Sequence, residues 1–195
     1  MRPDRGVALP GGLKLKKNIL DDQQMRRMIR RIAGQIVERN GGVSDLMLIG
    51  IRTRGVPLAE RIAAEIEVLE GSRVPIGVLD ITLYRDDFST IGPQPLVKET
   101  RLPGPIDDQT LVLCDDVLYT GRTIRSALDA LIDYGRPLAV QLAVLVDRGG
   151  RELPIQADYI GRQVTAAANE SVEVRFAGTD DEDKVMLMGI DKSDG

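Results

Sequence analysis

The chain has 195 residues, a formal net charge of −4, and 43% hydrophobic against 29% charged side chains, a length that suits one domain burying roughly 70% of its unfolded surface. A single cysteine, Cys114, excludes an internal disulfide, and no apolar run reaches the roughly 18 residues of a membrane span. The total absence of histidine excludes Ser-His-Asp and Cys-His catalysis, histidine zinc sites and imidazole proton shuttles, so any chemistry rests on positioning and charge.

Met1 to Gly12 carries Arg2 and Arg5 but no apolar core of signal-peptide length, which predicts a cytoplasmic chain. Residues 1–18 read as an N-terminal extension and 19–195 as a single domain. A helix is predicted over Asp22 to Arg39, where Met25, Met28, Ile29, Ile32, Ala33 and Ile36 share one stripe and Arg26, Arg27, Arg30 and Arg31 crowd the opposite side with few acidic neighbours. A one-sign arc of this kind suits a phosphate backbone, and being local it is compatible with the negative total charge. The pattern then predicts a strand over Leu46 to Ile51, a helix over Pro57 to Leu69 and a strand over Pro75 to Leu83. The segment 84–104 is long, polar and proline-interrupted, which suits a lid. A strand over Thr110 to Cys114, a helix over Thr123 to Tyr134 and a strand over Ala139 to Val146 follow. Beyond Thr165 the pattern offers a strand near Val172 to Phe176 and an acidic cluster, Asp180 to Asp183, read as a solvated turn.

Strands alternating with helices predict a parallel sheet. Short connections would then place Arg52 to Gly55, Asp115 to Thr123 and Asp147 to Gly149 past the carboxyl ends of their strands, where open α/β sheets hold ligands. At the second of these, Thr120, Gly121, Arg122 and Thr123 open a helix whose first N–H groups have no internal partner, so the turn can wrap an anion. Asp115 and Asp116 just upstream would repel a bare phosphate but suit a pair of sugar hydroxyls. The combination points to a phosphorylated sugar. Arg52-Thr53-Arg54-Gly55 offers two guanidinium groups, a hydroxyl and backbone amides to a second phosphate group. Gly50 and Gly55 have the spacing of a Walker A loop, but Val56 stands where lysine is required, and no G-x-G-x-x-G follows a predicted strand; nucleotide-hydrolase and dinucleotide readings both fail. Cys114, at a strand end, reads as a small buried residue.

Asp115-Asp116-Val117-Leu118-Tyr119-Thr120-Gly121-Arg122-Thr123 resembles the phosphoribosyl-pyrophosphate (PRPP) motif of type I phosphoribosyltransferases. Gly50 to Gly55, Asp80 to Asp87, Val144 to Gly149 and Ala157 to Gly161 extend the likeness, in order, to the bacterial pyrimidine-operon regulators that double as uracil phosphoribosyltransferases, the PyrR family. The likeness runs from about Ile19 to Val164. It implies an α/β fold of the type I phosphoribosyltransferase kind: a mainly parallel twisted sheet flanked by helices, with a flexible catalytic loop at about 84–104 and a small hood at about 151–178. It implies transfer of ribose 5-phosphate from PRPP to uracil, with PRPP held by Thr53, Arg54 and the whole of Asp115 to Thr123. Asp115, Asp116 and Arg85 would be catalytic, and Mg²⁺ would arrive with PRPP, with Asp115 and Asp116 as candidate ligands. Tyr159 would stack on the base, the Ile160 backbone would meet its edge, and Arg148 would stand beside the nucleotide.

The resemblance further implies UMP-responsive binding of pyrimidine-operon leader mRNA through Arg26, Arg27, Arg30, Arg31, Arg39, Arg151 and Arg162, favouring transcription termination. UMP and UTP would be effectors, and the chain would form a homodimer or higher homo-oligomer away from membranes. Three positions depart from the family: Gly150 closes an Asp-Arg-Gly block that the family usually ends in histidine, Gly34 replaces a histidine on the first helix, and Gln156 replaces a basic residue. An attenuator with vestigial activity, and a phosphoribosyltransferase for another base without RNA regulation, are the competing readings.

Overall fold

A computed structural model of the chain describes residues 13–86 and 99–189. Most of the expected N-terminal extension (1–12), most of the expected catalytic loop (87–98) and the final residues 190–195 lie outside the described residues.

Five parallel strands make the central sheet: β2 (Leu46–Ile51), β3 (Ile76–Leu79), β4 (Thr110–Leu118), β5 (Ala139–Asp147) and β6 (Tyr159–Gln163), in the order β3-β2-β4-β5-β6. Every residue of β2 is buried, as expected of a strand covered on both faces. Helices α1 (Asp22–Asn40) and α2 (Gly55–Glu70) cover one face, and α3 (Arg122–Ile132) the other. Residues of β4 divide between them: Val112 and Cys114 join the α1/α2 cluster, Leu111 and Leu113 the α3 cluster.

Helix α1 buries Met25, Ile29, Ile32, Ala33 and Ile36, the core of its predicted stripe. Its start is fixed by a reciprocal capping box in which the Gln24 N–H donates to Asp21 Oδ1 at 2.8 Å and the Asp21 N–H donates to Gln24 Oε1 at 3.0 Å. Gly41, at φ 65°, stops it in the left-handed conformation.

A second, antiparallel sheet of three strands has the order β1-β8-β7, from β1 (Lys14–Leu20), β7 (Glu170–Arg175) and β8 (Lys184–Gly189). Leu20, Val174, Phe176 and Val185 carry its inner side into the α1/α2 cluster. Of the segment 151–178 expected as a hood, Tyr159 to Gln163 instead completes the central sheet, and the small sheet draws on Lys14 to Leu20 and Lys184 to Gly189, both outside that segment.

Two strand ends differ from expectation. The strand predicted over Pro75 to Leu83 stops at Leu79, because Asp80 Oδ1 accepts hydrogen bonds from the Thr82 N–H (2.9 Å) and hydroxyl (2.5 Å), turning the chain into a short 3₁₀ turn at Thr82–Tyr84. The strand predicted to end at Cys114 runs on to Leu118, because β5 offers register partners as far as Leu118 opposite Asp147.

Candidate active site

The strand order reverses between β2 and β4: from β2 the chain moves outward through α2 to β3, and from β4 outward through α3 to β5, on opposite faces. Such a reversal opens a crevice at the carboxyl ends of the two strands. Arg52 to Gly55 flank it on one side and Asp115 to Thr123 on the other, so the fold brings together the two segments richest in phosphate-binding chemistry. They are clamped close. A Cβ on Gly55 would overlap the carbonyl oxygen of Cys114, and one on Gly50 would lie 2.5 Å from the Cα of Val56.

Asp115 is 7% exposed, and its Oδ1 accepts from the Asp116 N–H at 3.1 Å. Burial, and then the neighbouring Asp116 charge, hold the Asp115 carboxyl well above the usual carboxylate range. Asp116 is also raised by burial, against the opposing pull of its hydrogen bond with Asp115 and of the Arg54 guanidinium. Two adjacent, poorly solvated carboxylates favour whatever brings positive charge or hydroxyl donors to them. The pair suits Mg²⁺, which binds through one or two carboxylates together with substrate phosphates. No group of three or more potential ligand side chains exists among the described residues.

Since the folded pKa of Asp115 exceeds the unfolded one, folding takes up a proton on this group. Its contribution is most favourable below the ordinary carboxylate range and is lost as pH rises through that range toward the raised value. Asp115→Asn is expected to raise Tm at neutral pH, by roughly 2–4 °C for each kcal/mol relieved in a chain of this size. The variant should also show a flatter Tm profile above about pH 4; thermal unfolding across that range reads both effects.

Gly121, at φ 92°, precedes α3, whose first turn has no side-chain cap beyond the Thr120 Oγ1 that accepts the Arg122 N–H at 3.3 Å. In front of it lies a cavity of about 220 Å³ lined by Arg85, Asp86, Thr120, Arg122, Thr123 and Ser126. Asp86 spans its mouth, with Arg122 Nη1 at 2.8 Å and Arg125 Nη1 at 2.5 Å. Arg122 also holds Glu152 at 2.7 Å, so its guanidinium lies at the rim. Within the motif, Leu118 is a core side chain at 1% exposure whose carbonyl accepts the Arg148 N–H, and Val117 packs partly against the α1/α2 cluster. The Tyr119 ring lies outward, 41% exposed, with the Arg148 guanidinium 3.7 Å from its centroid. Thr53 is exposed, and the Arg52–Thr53 peptide is cis.

The sequence matches the phosphoribosyl transferase domain family over residues 16–177. A bifunctional protein PyrR from Chloroflexus aurantiacus is 57% identical over 173 residues, covering 89% of this chain and 95% of the relative. That from Pelotomaculum thermopropionicum is 54% identical over 173 residues, covering 89% and 96%. The chain belongs to the phosphoribosyltransferase family, among the bifunctional PyrR proteins. Among solved structures, the hypoxanthine phosphoribosyltransferase of Trypanosoma cruzi superposes with a TM-score of 0.68 at 16% identity, over 91% of this chain and 98% of that one, a likeness of fold. The type I phosphoribosyltransferase architecture expected from the sequence is the one observed.

Within this PyrR-family fold, one expected contact with the base is corrected. Tyr159 is 3% exposed in the α1/α2 cluster, opposite Ala143 in register, and its hydroxyl donates to Gln141 Oε1 at 2.7 Å. A ring so enclosed has no face to offer a pyrimidine; the tyrosine is a core residue. The Ile160 carbonyl accepts from Arg31 Nη2 at 3.0 Å, and the Ile160 side chain packs against the α3 cluster. Cys114 is fully buried, and burial pushes its thiol up, away from nucleophilic use.

The basic residues sort into three kinds. Arg27 and Arg162 are exposed and have no ion pair among the described residues. Arg26, Arg30 and Arg39 are exposed but paired with Asp22 (2.7 Å), Glu65 (3.0 Å) and Asp158 (2.6 Å). The expectation of few acidic neighbours is thus corrected, because α2 supplies Glu65 across the helix pair. Arg31 donates to the Ile160 and Gly161 carbonyls, tying α1 to β6. Arg151 is a clamp: it binds Asp147 at 2.7 Å, the Ile155 carbonyl at 2.8 Å and the Tyr119 carbonyl at 2.9 Å, fixing the loop after β5 to the motif.

Sequence reasoning missed the partners of the site's arginines. The acidic cluster supplies Asp180 to Arg54 (3.0 Å) and Asp183 to Arg61 (2.6 Å). The signal was available in the net positive charge of Arg52 to Arg61 and the dense run of carboxylates at Asp180 to Asp183. At the departures, Gly34 has open space where a Cβ would go, whereas a Cβ on Gly150, at φ 77°, would lie 2.5 Å from the Tyr119 ring.

Proposed function

We propose that this chain transfers ribose 5-phosphate from PRPP to uracil, giving UMP and pyrophosphate, and conveys the UMP level to pyrimidine-operon leader mRNA. The observation that carries the catalytic half is the convergence, at the switch point of the sheet, of the Asp115–Asp116 pair, the Arg54 loop and the uncapped start of α3. Asp115 and Asp116 hold the ribose hydroxyls, Thr120 to Thr123 cradle the 5′-phosphate, and Thr53 and Arg54 take the diphosphate. Arg85, on the wall of the cavity, meets the departing pyrophosphate.

The bond from the anomeric carbon to pyrophosphate breaks, the uracil nitrogen bonds to that carbon, and the nitrogen's proton leaves to solvent. Positive charge develops on the sugar and negative charge on the leaving group, which fixed cations stabilise best where water is excluded. Mg²⁺ held by PRPP with Asp115 and Asp116 would add electrostatic stabilisation of the pyrophosphate. Alignment of the two substrates contributes on the order of 7–11 kcal/mol when geometry is good. With Tyr159 in the core, the motif's own Tyr119, exposed and stacked under Arg148, offers an aromatic surface, and Arg148 belongs to the nucleotide's surroundings.

The RNA surface centres on the outer side of α1, where Arg26, Arg27 and Arg30 are exposed, with Arg39 on the flank of α1 facing β6 and Arg162 exposed on β6 itself. Exposed ion pairs such as Arg26–Asp22 contribute little and yield readily to phosphates. A homodimer or higher homo-oligomer would enlarge that surface. No helix among the described residues is long and apolar enough to cross a membrane, and a cytoplasmic site of action suits the substrates.

Pyrophosphate release from PRPP, assayed with uracil, hypoxanthine and guanine, tests the enzyme: uracil alone is expected to support it, and release with a purine would overturn the uracil assignment. Binding to leader RNA is expected to fall steeply with salt and to tighten with UMP. Equal weak affinity for any RNA would retire the regulatory half and leave the enzyme standing.

A further inference from the structure

The acidic turn between β7 and β8 reaches the edge of the candidate site. Arg54, the residue just before α2, presents its guanidinium side-on to Asp180, Nη2 to Oδ1 at 3.0 Å and Nε to Oδ2 at 3.4 Å. Asp180 is itself fixed: its Oδ2 accepts the Phe176 N–H at 2.9 Å, and its own N–H donates to the Phe176 carbonyl at 2.6 Å. The carboxylate is the more enclosed partner, 17% exposed against 37% for the arginine side chain. A side-on grip occupies Nε and one Nη2 hydrogen, leaving the Nη1 hydrogens and the second Nη2 hydrogen for another anion. Arg54 also feels the charge of Asp116, so it stands between the small sheet and the carboxylate pair.

A neighbouring pair has the same origin without the same reach. Arg61 holds Asp183 at 2.6 and 2.7 Å, donates to the Ala177 carbonyl at 3.2 Å and lies 5.0 Å from the Phe176 ring centroid, fastening the turn to the flank of α2.

We propose that Asp180 is the positioning residue for Arg54, orienting its guanidinium to receive the diphosphate of PRPP and, after transfer, the pyrophosphate product. The proposal rests on the phosphoribosyl-transfer reading above. An arginine already held in its binding orientation has less rotamer freedom to lose when the ligand arrives, so Asp180 acts on diphosphate affinity and leaves recognition of the base untouched. It also makes the small sheet, through one side chain, part of the diphosphate site.

Titration calorimetry with PRPP and with pyrophosphate, together with steady-state kinetics on the full chain, tests this. Asp180→Asn is expected to weaken both ligands about three- to tenfold, the scale of ordering one long side chain, and to raise KM for PRPP while KM for uracil and kcat at saturating PRPP stay within about twofold. Asp180→Asn added to Arg54→Ala should cost nothing further, and Asp183→Asn, which loses the sister pair, should keep wild-type affinity for both ligands. Additive losses in the double variant, an equal loss in Asp183→Asn, or tighter binding in Asp180→Asn would each overturn the proposal. A wild-type chain that binds neither PRPP nor pyrophosphate would instead overturn the transfer reading itself.

Discussion

Asp116→Asn is expected to lower pyrophosphate release from PRPP and uracil by about 10²- to 10³-fold while the chain remains folded. Asparagine keeps the shape of the side chain and one acceptor but loses the charge. On the proposed reading, its ionised oxygens would make charge-assisted hydrogen bonds to the ribose hydroxyls and so hold the anomeric carbon in line between the leaving pyrophosphate and the attacking nitrogen. The same negative charge would then stand beside the sugar as it becomes cationic. Because burial already raises the Asp116 carboxyl, removing its charge should not cost stability, so thermal unfolding separates a chemical loss from a folding one. An unchanged rate would take Asp116 out of the site.

The largest structural effect belongs to Gly55→Ala. The added methyl group would overlap the Cys114 carbonyl, which is backbone of the central strand and cannot swing aside as a side chain would. Overpacking of this kind costs about 1–3 kcal/mol, and here α2 must lift away from β4 to relieve it. The same movement draws Thr53 and Arg54 away from Asp115 and Asp116, so PRPP affinity should fall by more than the lost stability accounts for. Gly34→Ala is the comparison: nothing lies within 4 Å of its Cβ position in mid-helix, and the substitution should stabilise by about 0.5–1 kcal/mol. Tm and PRPP titration on the two variants read the contrast, and a Gly55→Ala chain with wild-type Tm would show that the approach of α2 to β4 is looser than described.

Much of this architecture is legible in the sequence because it is locally encoded. The short apolar run Leu46–Ile51 reads as a doubly covered strand, the Met25 to Ile36 stripe as a one-sided helix, and Thr120-Gly121 as a turn before a helix. The strand β1 is not legible: Lys14, Lys16 and Lys17 dominate it, and it exists because β8 supplies its hydrogen-bond partners from the far end of the chain. Tyr159 misleads for a related reason. Its segment matches a family block that promises a ring for the base, but the side chain's fate is set by Gln141 and Asn40, which lie on other elements and close its hydroxyl into the core. Arg151 shows the same gap. From sequence it is one more positive charge, whereas its bond to the distant Tyr119 carbonyl, added to the nearby Asp147 and Ile155, makes it a brace for the motif. Residues whose setting is local, such as Gly121 ahead of α3, can be read directly; those whose surroundings depend on distant partners need the fold.

The small antiparallel sheet places the first and last described strands side by side, with Lys14 opposite Gly189 and Leu20 opposite Val185. The pairing that closes last along the chain therefore lies between its extremes, and loop-closure entropy makes such pairings slow to form. A circular permutant that links β8 directly to β1 by a tight turn, with new ends opened at the exposed Gly71–Arg73 connection, would turn that distant pairing into a local hairpin and leave the crevice between β2 and β4 untouched.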